Sequence, residues 1–253
     1  MTRVLDLFPQ TTSPIHRLDP RWKLAAVLLA VVGTAVLQTL LAAAGALLLA
    51  LFLVALSRLP ARWYLARTAV FGLLIGLFAL FLPFVVPGEE SWRIGPLTLS
   101  LPGLILALRL LAKATAIFTL MLVLLATAPP QATFKAAHAL HVPGLLVQLA
   151  MLTVRYTVLF GAELARMRVA LRVRGYRNRV ARHSYRTIGH VGGTLLVRGY
   201  ERAERVGQAM RCRGFDGRFR SLTEFRTKTA DVAFFVLLVG AAAALAAWDW
   251  WIR

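Results

Sequence analysis

Polar and apolar residues alternate along this chain in long blocks. A mostly polar and basic opening gives way to 33 residues, Leu24 to Leu56, without a charge. A helix crossing a bilayer core needs about 20 residues at about 1.5 Å each. The run is therefore too long for one ordinary span and short for two full ones. The polar pair Gln38-Thr39, with Gly45 just beyond, marks a tight reversal and predicts two short spans, 24–38 and 41–56. The rival is one long tilted helix. A cleavable signal would have a much shorter apolar stretch and a small-residue cleavage site, so the run reads as retained membrane helix.

A short basic loop with Arg58, Pro60, Arg62 and Arg67 leads to a third span over 68–86, closed by Pro83 and Pro87-Gly88. The next loop carries Glu89 and Glu90 against Arg93 alone, with turn signals at Gly95-Pro96 and Pro102-Gly103. A fourth span covers 104–128 and stops at Pro129-Pro130. The last covers 231–248, with Trp250 and Trp251 after it as interfacial aromatics. Between these blocks, 143–165 is apolar at helical spacing with polar interruptions such as Arg155. It predicts an amphipathic helix lying against the membrane or the other spans, or else a sixth span. Arg109 and Lys113 fall early in the fourth span, four apart on one helix face. They are expected to snorkel towards the outer surface; the other reading has them face a polar partner within the membrane.

Composition agrees with a membrane protein: 58% of residues are apolar and mean hydropathy is +0.67. The net charge of +19 is concentrated, for 131–228 holds 19 Lys and Arg against 5 Asp and Glu. The single cysteine, Cys212, excludes an internal disulfide. Arg3, Arg17, Arg21 and Lys23 precede the first span and three arginines follow the second, whereas the loop after the third has only Arg93. Five spans with a cytoplasmic N-terminus, a cytoplasmic basic segment and an external C-terminus satisfy this alternation. The predicted organisation is a cytoplasmic N-terminal segment 1–23, four spans within 24–128, a coupling segment 129–228, and a last span with the C-terminus in 229–253.

One phrase occurs twice in the basic segment, 39 residues apart. The sequence from Arg166 to Tyr176 aligns without gaps on that from Arg205 to Phe215, with five of eleven positions identical. Both phrases read as helices in their own right, ending at Gly175 and Gly214. Arg166, Ala170 and Arg174 share one helix face, as do Arg205, Ala209 and Arg213; Arg172 and Arg211 point nearly opposite. The alanines allow close approach of another helix backbone. Arginine near a helix end offsets the macrodipole, and glycine accepts a left-handed cap. Capping accounts for one such end but does not call for the same pattern twice. The pair therefore points to recognition, with Arg174 and Arg213 at the tips offering planar, multi-donor groups to carboxylates and carbonyls in a receiving groove.

With these residues in view, the chain resembles the transmembrane T component of energy-coupling factor transporters of the cobalt/nickel type, the CbiQ family. The resemblance runs from His16-Arg17-Leu18-Asp19-Pro20-Arg21-Trp22-Lys23 through Thr127-Ala128-Pro129, Val142-Pro143 and Arg155-Tyr156 to the second phrase. Val173-Arg174-Gly175 and Cys212-Arg213-Gly214 resemble the family's paired Ala-Arg-Gly signatures, with the leading alanine replaced in both. The resemblance implies an all-α membrane protein of about five transmembrane helices with a cytoplasmic coupling domain of long crossing helices. Each tip would sit in a groove of one subunit of an ABC-type ATPase dimer, with Ala170, Arg172, Arg174 and Gly175 at one dock and Ala209, Arg211, Arg213 and Gly214 at the other. It further implies a membrane-embedded S component that binds cobalt or nickel, and allows a small accessory membrane subunit. ATP and Mg would lie on the ATPase, so this chain would bind no cofactor itself, in the inner membrane of a bacterium.

Absent motifs suit a non-catalytic subunit. None of the four lysines follows the glycine pattern of a phosphate-binding loop, and no catalytic triad or supported carboxylate pair is evident. His138 and His141 are three apart but lack nearby Cys, Asp or Glu, and read as interfacial residues rather than metal ligands. The alternatives are a T component serving vitamin S components and a cationic scaffold or insertase meeting the anionic lipid bilayer. No nucleic-acid-binding module appears among the arginines.

Overall fold

The computed structural model describes residues 13–86, 91–94, 97–177, 179–215 and 227–252. Arg3, Pro87-Gly88, Glu89, Glu90 and Gly95-Pro96, used in the span, loop and charge readings above, lie outside the described residues, as does 216–226. In chain order the helices are α1 (Pro20–Val36), α2 (Leu40–Ser57), α3 (Ala61–Val85), α4 (Leu101–Thr127), α5 (Pro130–Ala139), α6 (Gly144–Val173), α7 (Arg182–Cys212) and α8 (Thr229–Ile252). Among the described residues the fold is all-α apart from one antiparallel hairpin, β1 (Ser91–Ile94) with β2 (Leu97–Ser100), between α3 and α4. The described residues form two compact units, one within Asp6–Leu140 and Thr223–Arg253, the other within His141–Leu222.

In the first unit, local chemistry sets the helix boundaries. Thr39 caps α2 by accepting from Ala42 N–H, and Ser100 caps α4 by accepting from Gly103 N–H. Pro129 and Pro130 stop α4, since a residue before proline is driven from helical to extended backbone. The packing pairs give each helix its direction. Asp19 meets Asp231 and Gln38 meets Asp249, so α1 and α8 run parallel. Thr39 meets Asp249 and Gly45 meets Leu245, so α2 runs antiparallel to α8. Lys23 meets Thr127 and Lys113 meets Leu37, so α4 is antiparallel to α1. The expected reversal at Gln38-Thr39 is therefore present. The core between these helices is rich in alanine, with Ala26, Ala30, Ala46, Ala50 and Ala116 around Val27, Leu120 and Leu238. Small side chains let the helix backbones come close. Where α3 approaches α4, a side chain on Gly103 would lie 2.8 Å from Pro83 Cα, so only glycine fits.

Among the described residues five helices, α2, α3, α4, α6 and α8, are long and apolar enough to cross a membrane. The number matches the sequence expectation, but the membership differs. α1 has 17 residues, a rise of about 25 Å, and is shorter than these five. The amphipathic helix expected over 143–165 and the first repeated phrase are instead one 30-residue helix, α6. The second phrase likewise ends a 31-residue helix rather than forming its own. Continuous helical hydrogen bonding through Ala165 into Arg166 costs less than a break there, because no proline or glycine interrupts 162–174. α3 buries only Ala79 and Pro83 and exposes Leu73, Leu77, Phe78 and Phe81, as a lipid-facing helix does.

Arg109 and Lys113 do not snorkel away from the bundle. Lys113 Nζ donates to the carbonyls of Ala35 and Leu37, each at 2.7 Å, and Arg109 donates to the carbonyl of Gln38. Asp249, from α8, accepts from the N–H groups of Gln38 at 3.0 Å and Thr39 at 2.7 Å. The α1–α2 reversal leaves helix-end carbonyls and amides that lipid cannot satisfy. Cations from α4 take the carbonyls and a carboxylate from α8 takes the amides.

The second unit is built on α6 and α7. Phe160 and Glu163 on α6 meet Gly199 and Arg198 on α7. Beyond that point the two helices diverge, antiparallel, leaving a groove on each side. One, of about 890 Å³, is lined by Leu164, Arg168, Leu171, Arg172, Ile188 and Val191. The other, of about 440 Å³, lies between Leu149, Tyr156 and Phe160 of α6 and Ala203, Val206 and Met210 of α7. The long crossing helices expected of the coupling segment are these two.

Candidate functional site

The two repeated phrases fold into the same local structure. At the end of α6, Gly175 N–H donates to the carbonyl of Arg172 and Tyr176 N–H to that of Leu171, both at 3.0 Å. At the end of α7, Gly214 N–H donates to Arg211 at 3.0 Å and Phe215 N–H to Met210 at 3.1 Å. Gly175 has φ +78° and Gly214 φ +77°. These are paired Schellman caps, which close a helix with a left-handed residue and satisfy its last carbonyls.

This geometry sorts the repeated positions by cause. The cap requires Gly175 and Gly214, because a side chain at that φ strains the backbone. It also favours apolar residues at Tyr176 with Leu171, and at Phe215 with Met210, since such caps are commonly closed by contact between these two positions. Four repeated identities are left over: Arg166 and Arg205, Ala170 and Ala209, Arg172 and Arg211, Arg174 and Arg213. Arg174 and Arg213 are the capping residues themselves, with helical-side backbone at φ −79° and −91°. All eight leftover side chains are exposed. Arg205 reaches Glu201 one turn back at 3.7 Å, an exposed pair worth about 0.3–0.5 kcal/mol. The identity of these side chains is therefore not demanded by the fold of α6 or α7.

Because the helices cross antiparallel, the tips lie at opposite ends of the pair. Arg174 is 11 residues beyond Glu163 and Arg213 is 15 beyond Arg198, arms of about 16 and 22 Å. The first tip is steadied from α7: Tyr176 Oη donates to the carbonyl of Ser184 at 3.4 Å, and Arg179 N–H donates to Ser184 Oγ at 3.3 Å. The structure thus brings Ala170, Arg172, Arg174 and Gly175 together at one end, and Ala209, Arg211, Arg213 and Gly214 at the other.

The contact that holds the crossing, Glu163 with Arg198, went unnoticed in the sequence. Glu163, 7% exposed, accepts from Arg198 Nη1 at 2.7 Å, with Arg166 and Arg202 also in electrostatic reach. A lone carboxylate within a strongly basic stretch is the signal that could have found it. Among the described residues no group of three or more His, Cys, Asp or Glu converges in a way that could hold a metal ion.

Comparison with known proteins agrees with this architecture. The family described as CbiQ, cobalt transport protein, matches residues 11–225. Nickel permease LarQ of Lactiplantibacillus plantarum is 30% identical over 234 residues, covering 91% of this chain and 78% of its own length. An uncharacterised protein of Methanocaldococcus jannaschii is 26% identical over 242 residues, 93% of this chain and 82% of that one. The match spans both the helical bundle and the crossed pair, and with five helices fit to cross a membrane the chain belongs to the CbiQ cobalt transport protein family, as a multi-pass membrane component of metal transport.

Proposed function

We propose that this chain is the coupling subunit of an energy-coupling factor importer. It links ATP hydrolysis on a separate ABC-type ATPase dimer to reorientation of a membrane-embedded S component that carries cobalt or nickel. The observation that carries this reading is the pair of matching Schellman ends. They close two crossing helices and present Arg174 and Arg213 exposed, with no side-chain partner among the described residues. Two equal tips suit a partner with two equal grooves, as an ATPase dimer provides. Closure of such a dimer would draw the tips together, and the crossed arms would pass that displacement to the bundle.

In this reading the chain performs no catalysis. ATP and Mg belong to the ATPase, and the metal is cargo held by the S component. In this reading α6, although long and apolar enough to cross, lies with α7 on the cytoplasmic side of a bacterial inner membrane, and α1 to α4 and α8 lie within that membrane. The family description supports cobalt and the Lactiplantibacillus relative supports nickel. The residues proposed to seat in the grooves are Arg174 and Arg213, with Gly175 and Gly214 fixing their pose and Ala170, Arg172, Ala209 and Arg211 flanking them.

Co-purification tests the proposal. Arg174→Glu with Arg213→Glu is expected to leave the protein in the membrane while the ATPase subunits are lost. Truncating one partner of a desolvated charged pair typically costs about 2–5 kcal/mol, so two reversals should abolish retention. Arg179→Glu with Arg182→Glu serves as control and should retain the ATPases. Equal loss in both variants would favour a diffuse electrostatic scaffold on anionic lipid instead.

A further inference from the structure

The motif from His16 to Lys23 has no task in the function just proposed, yet its residues meet two segments that are far apart in sequence, the end of α4 and the start of α8. Lys23, 1% exposed, donates from Nζ to the carbonyl of Thr127 at 3.1 Å and to its hydroxyl at 3.3 Å. Asp231, also 1% exposed, accepts from Asp19 N–H at 2.8 Å and from Lys228 N–H at 2.7 Å. Arg21 bridges the Asp19 carboxylate at 3.0 Å and the Thr227 hydroxyl at 3.3 Å. Trp22 Nε1 donates to the same hydroxyl at 3.3 Å, and its ring packs edge-on against Phe235.

The sequence positions of those partners give the arrangement its meaning. Thr127 is the last residue of α4, after which the chain runs through α5 into α6 and α7. Thr227 to Asp231 is where it returns as α8. One short motif therefore grips the outgoing and the incoming chain, and between them lie α5, whose Ala136 is part of the bundle core, and the crossed pair. A buried ammonium is costly unless compensated, and here it is met by the very end of the outgoing helix and by the nearby charge of Asp231.

We propose that residues 19–23 act as a clasp that makes the end of α4 and the start of α8 one mechanical input to the bundle. Displacement of the crossed helices then reaches α1, α4 and α8 together and is not absorbed by one loose strand. Lys23, Arg21 and Asp231 are positioning residues in this account, and the inference rests on the coupling function above.

The test uses the whole complex, co-expressed with the proposed ATPase and cargo-binding partners and reconstituted in liposomes. Lys23→Met is expected to keep the ATPase subunits bound and hydrolysis within about two-fold of the parent, while metal uptake falls about ten-fold, the order of change seen along coupling networks. Thr227→Val, at the exposed edge of the clasp, removes the acceptor shared by Arg21 and Trp22. It should reduce uptake per ATP by about three-fold on the same basis, and it carries the test should Lys23→Met fail to assemble. In a Cys212→Ser background, spin labels at Gln131→Cys and Thr229→Cys should report one distance with and without nucleotide. With Lys23→Met added, that distance should broaden or shift. Wild-type uptake per ATP in both variants overturns the clasp. So does a label distance that already changes with nucleotide in the parent, or a parallel loss of hydrolysis and uptake in an assembled variant. A parent complex that holds no ATPase overturns the coupling function itself, and the clasp with it.

Discussion

The carboxylate of Glu163 on α6 and the guanidinium of Arg198 on α7 meet at 2.7 Å where the two helices cross. Beside them the Phe160 ring lies 3.3 Å from the place a side chain on Gly199 would occupy. The crossing thus joins one charged contact to one close steric contact, and the helices part on either side of it.

Removing that charge should loosen the pair without unfolding either helix. Glu163→Gln is expected to lower the thermal midpoint in detergent and to weaken coupling of hydrolysis to uptake. The swapped pair Glu163→Arg with Arg198→Glu should recover part of both. A double-mutant cycle on the midpoint measures the interaction, and additive single effects would show that the two residues do not act together.

The caps respond to backbone strain alone. Gly175 and Gly214 sit at positive φ with open space where a side chain would go, so alanine meets no clash. Each Gly→Ala change should still destabilise its helix end by about 1–2 kcal/mol, and asparagine, which tolerates this conformation, should cost less. Thermal unfolding of the purified protein measures the first effect. ATPase retention should fall in the same order, because the cap sets the direction of Arg174 or Arg213.

The α1–α2 reversal depends on α4 for its carbonyls. Lys113→Met removes the donor to Ala35 and Leu37, and a buried carbonyl left without its donor costs about 1–3 kcal/mol. The variant should insert in the membrane yet unfold earlier in detergent. Lys113→Arg should lie between it and the parent. Equal midpoints for all three would show that the reversal holds without this contact.

Acid should act through His16, which lies in the short 3-10 turn Pro14–Arg17 before α1. Burial, and then the nearby Lys23 ammonium, hold its imidazole below the ordinary value of 6.5, so the folded state binds its proton less readily than the unfolded chain. Above 6.5 both states carry neutral imidazole and His16 makes no difference. As pH falls below 6.5 the unfolded chain protonates first and stability declines, until the folded pKa is passed. Thermal midpoints across this window should fall more steeply for the parent than for His16→Gln.

Much of this architecture was legible in the residues. The break at Gln38-Thr39, the stop at Pro129-Pro130 and the two Arg-Gly ends are all where the sequence placed them. Arg109 and Lys113 were read as snorkelling because a cation in an apolar helix needs a polar destination, and the lipid surface is the default one. The actual destination, the open carbonyls of the α1–α2 reversal, exists only once α4 lies against α1. The fusion of the 143–165 helix with the first repeated phrase was missed because amphipathic pattern and basic pattern were taken as separate elements, although nothing between them breaks a helix.

The sequence alone determined the apolar blocks, their breaks and the duplicated caps. Each of these is settled within a few residues by hydrogen bonds, proline geometry or glycine's freedom. Tertiary structure alone decided the partners of the buried charges. Lys23 finds Thr127 104 residues away, Asp19 finds Asp231 212 away, and Glu163 finds Arg198 35 away. A charge in an apolar setting must be compensated, but its position along the chain does not say by what; packing does.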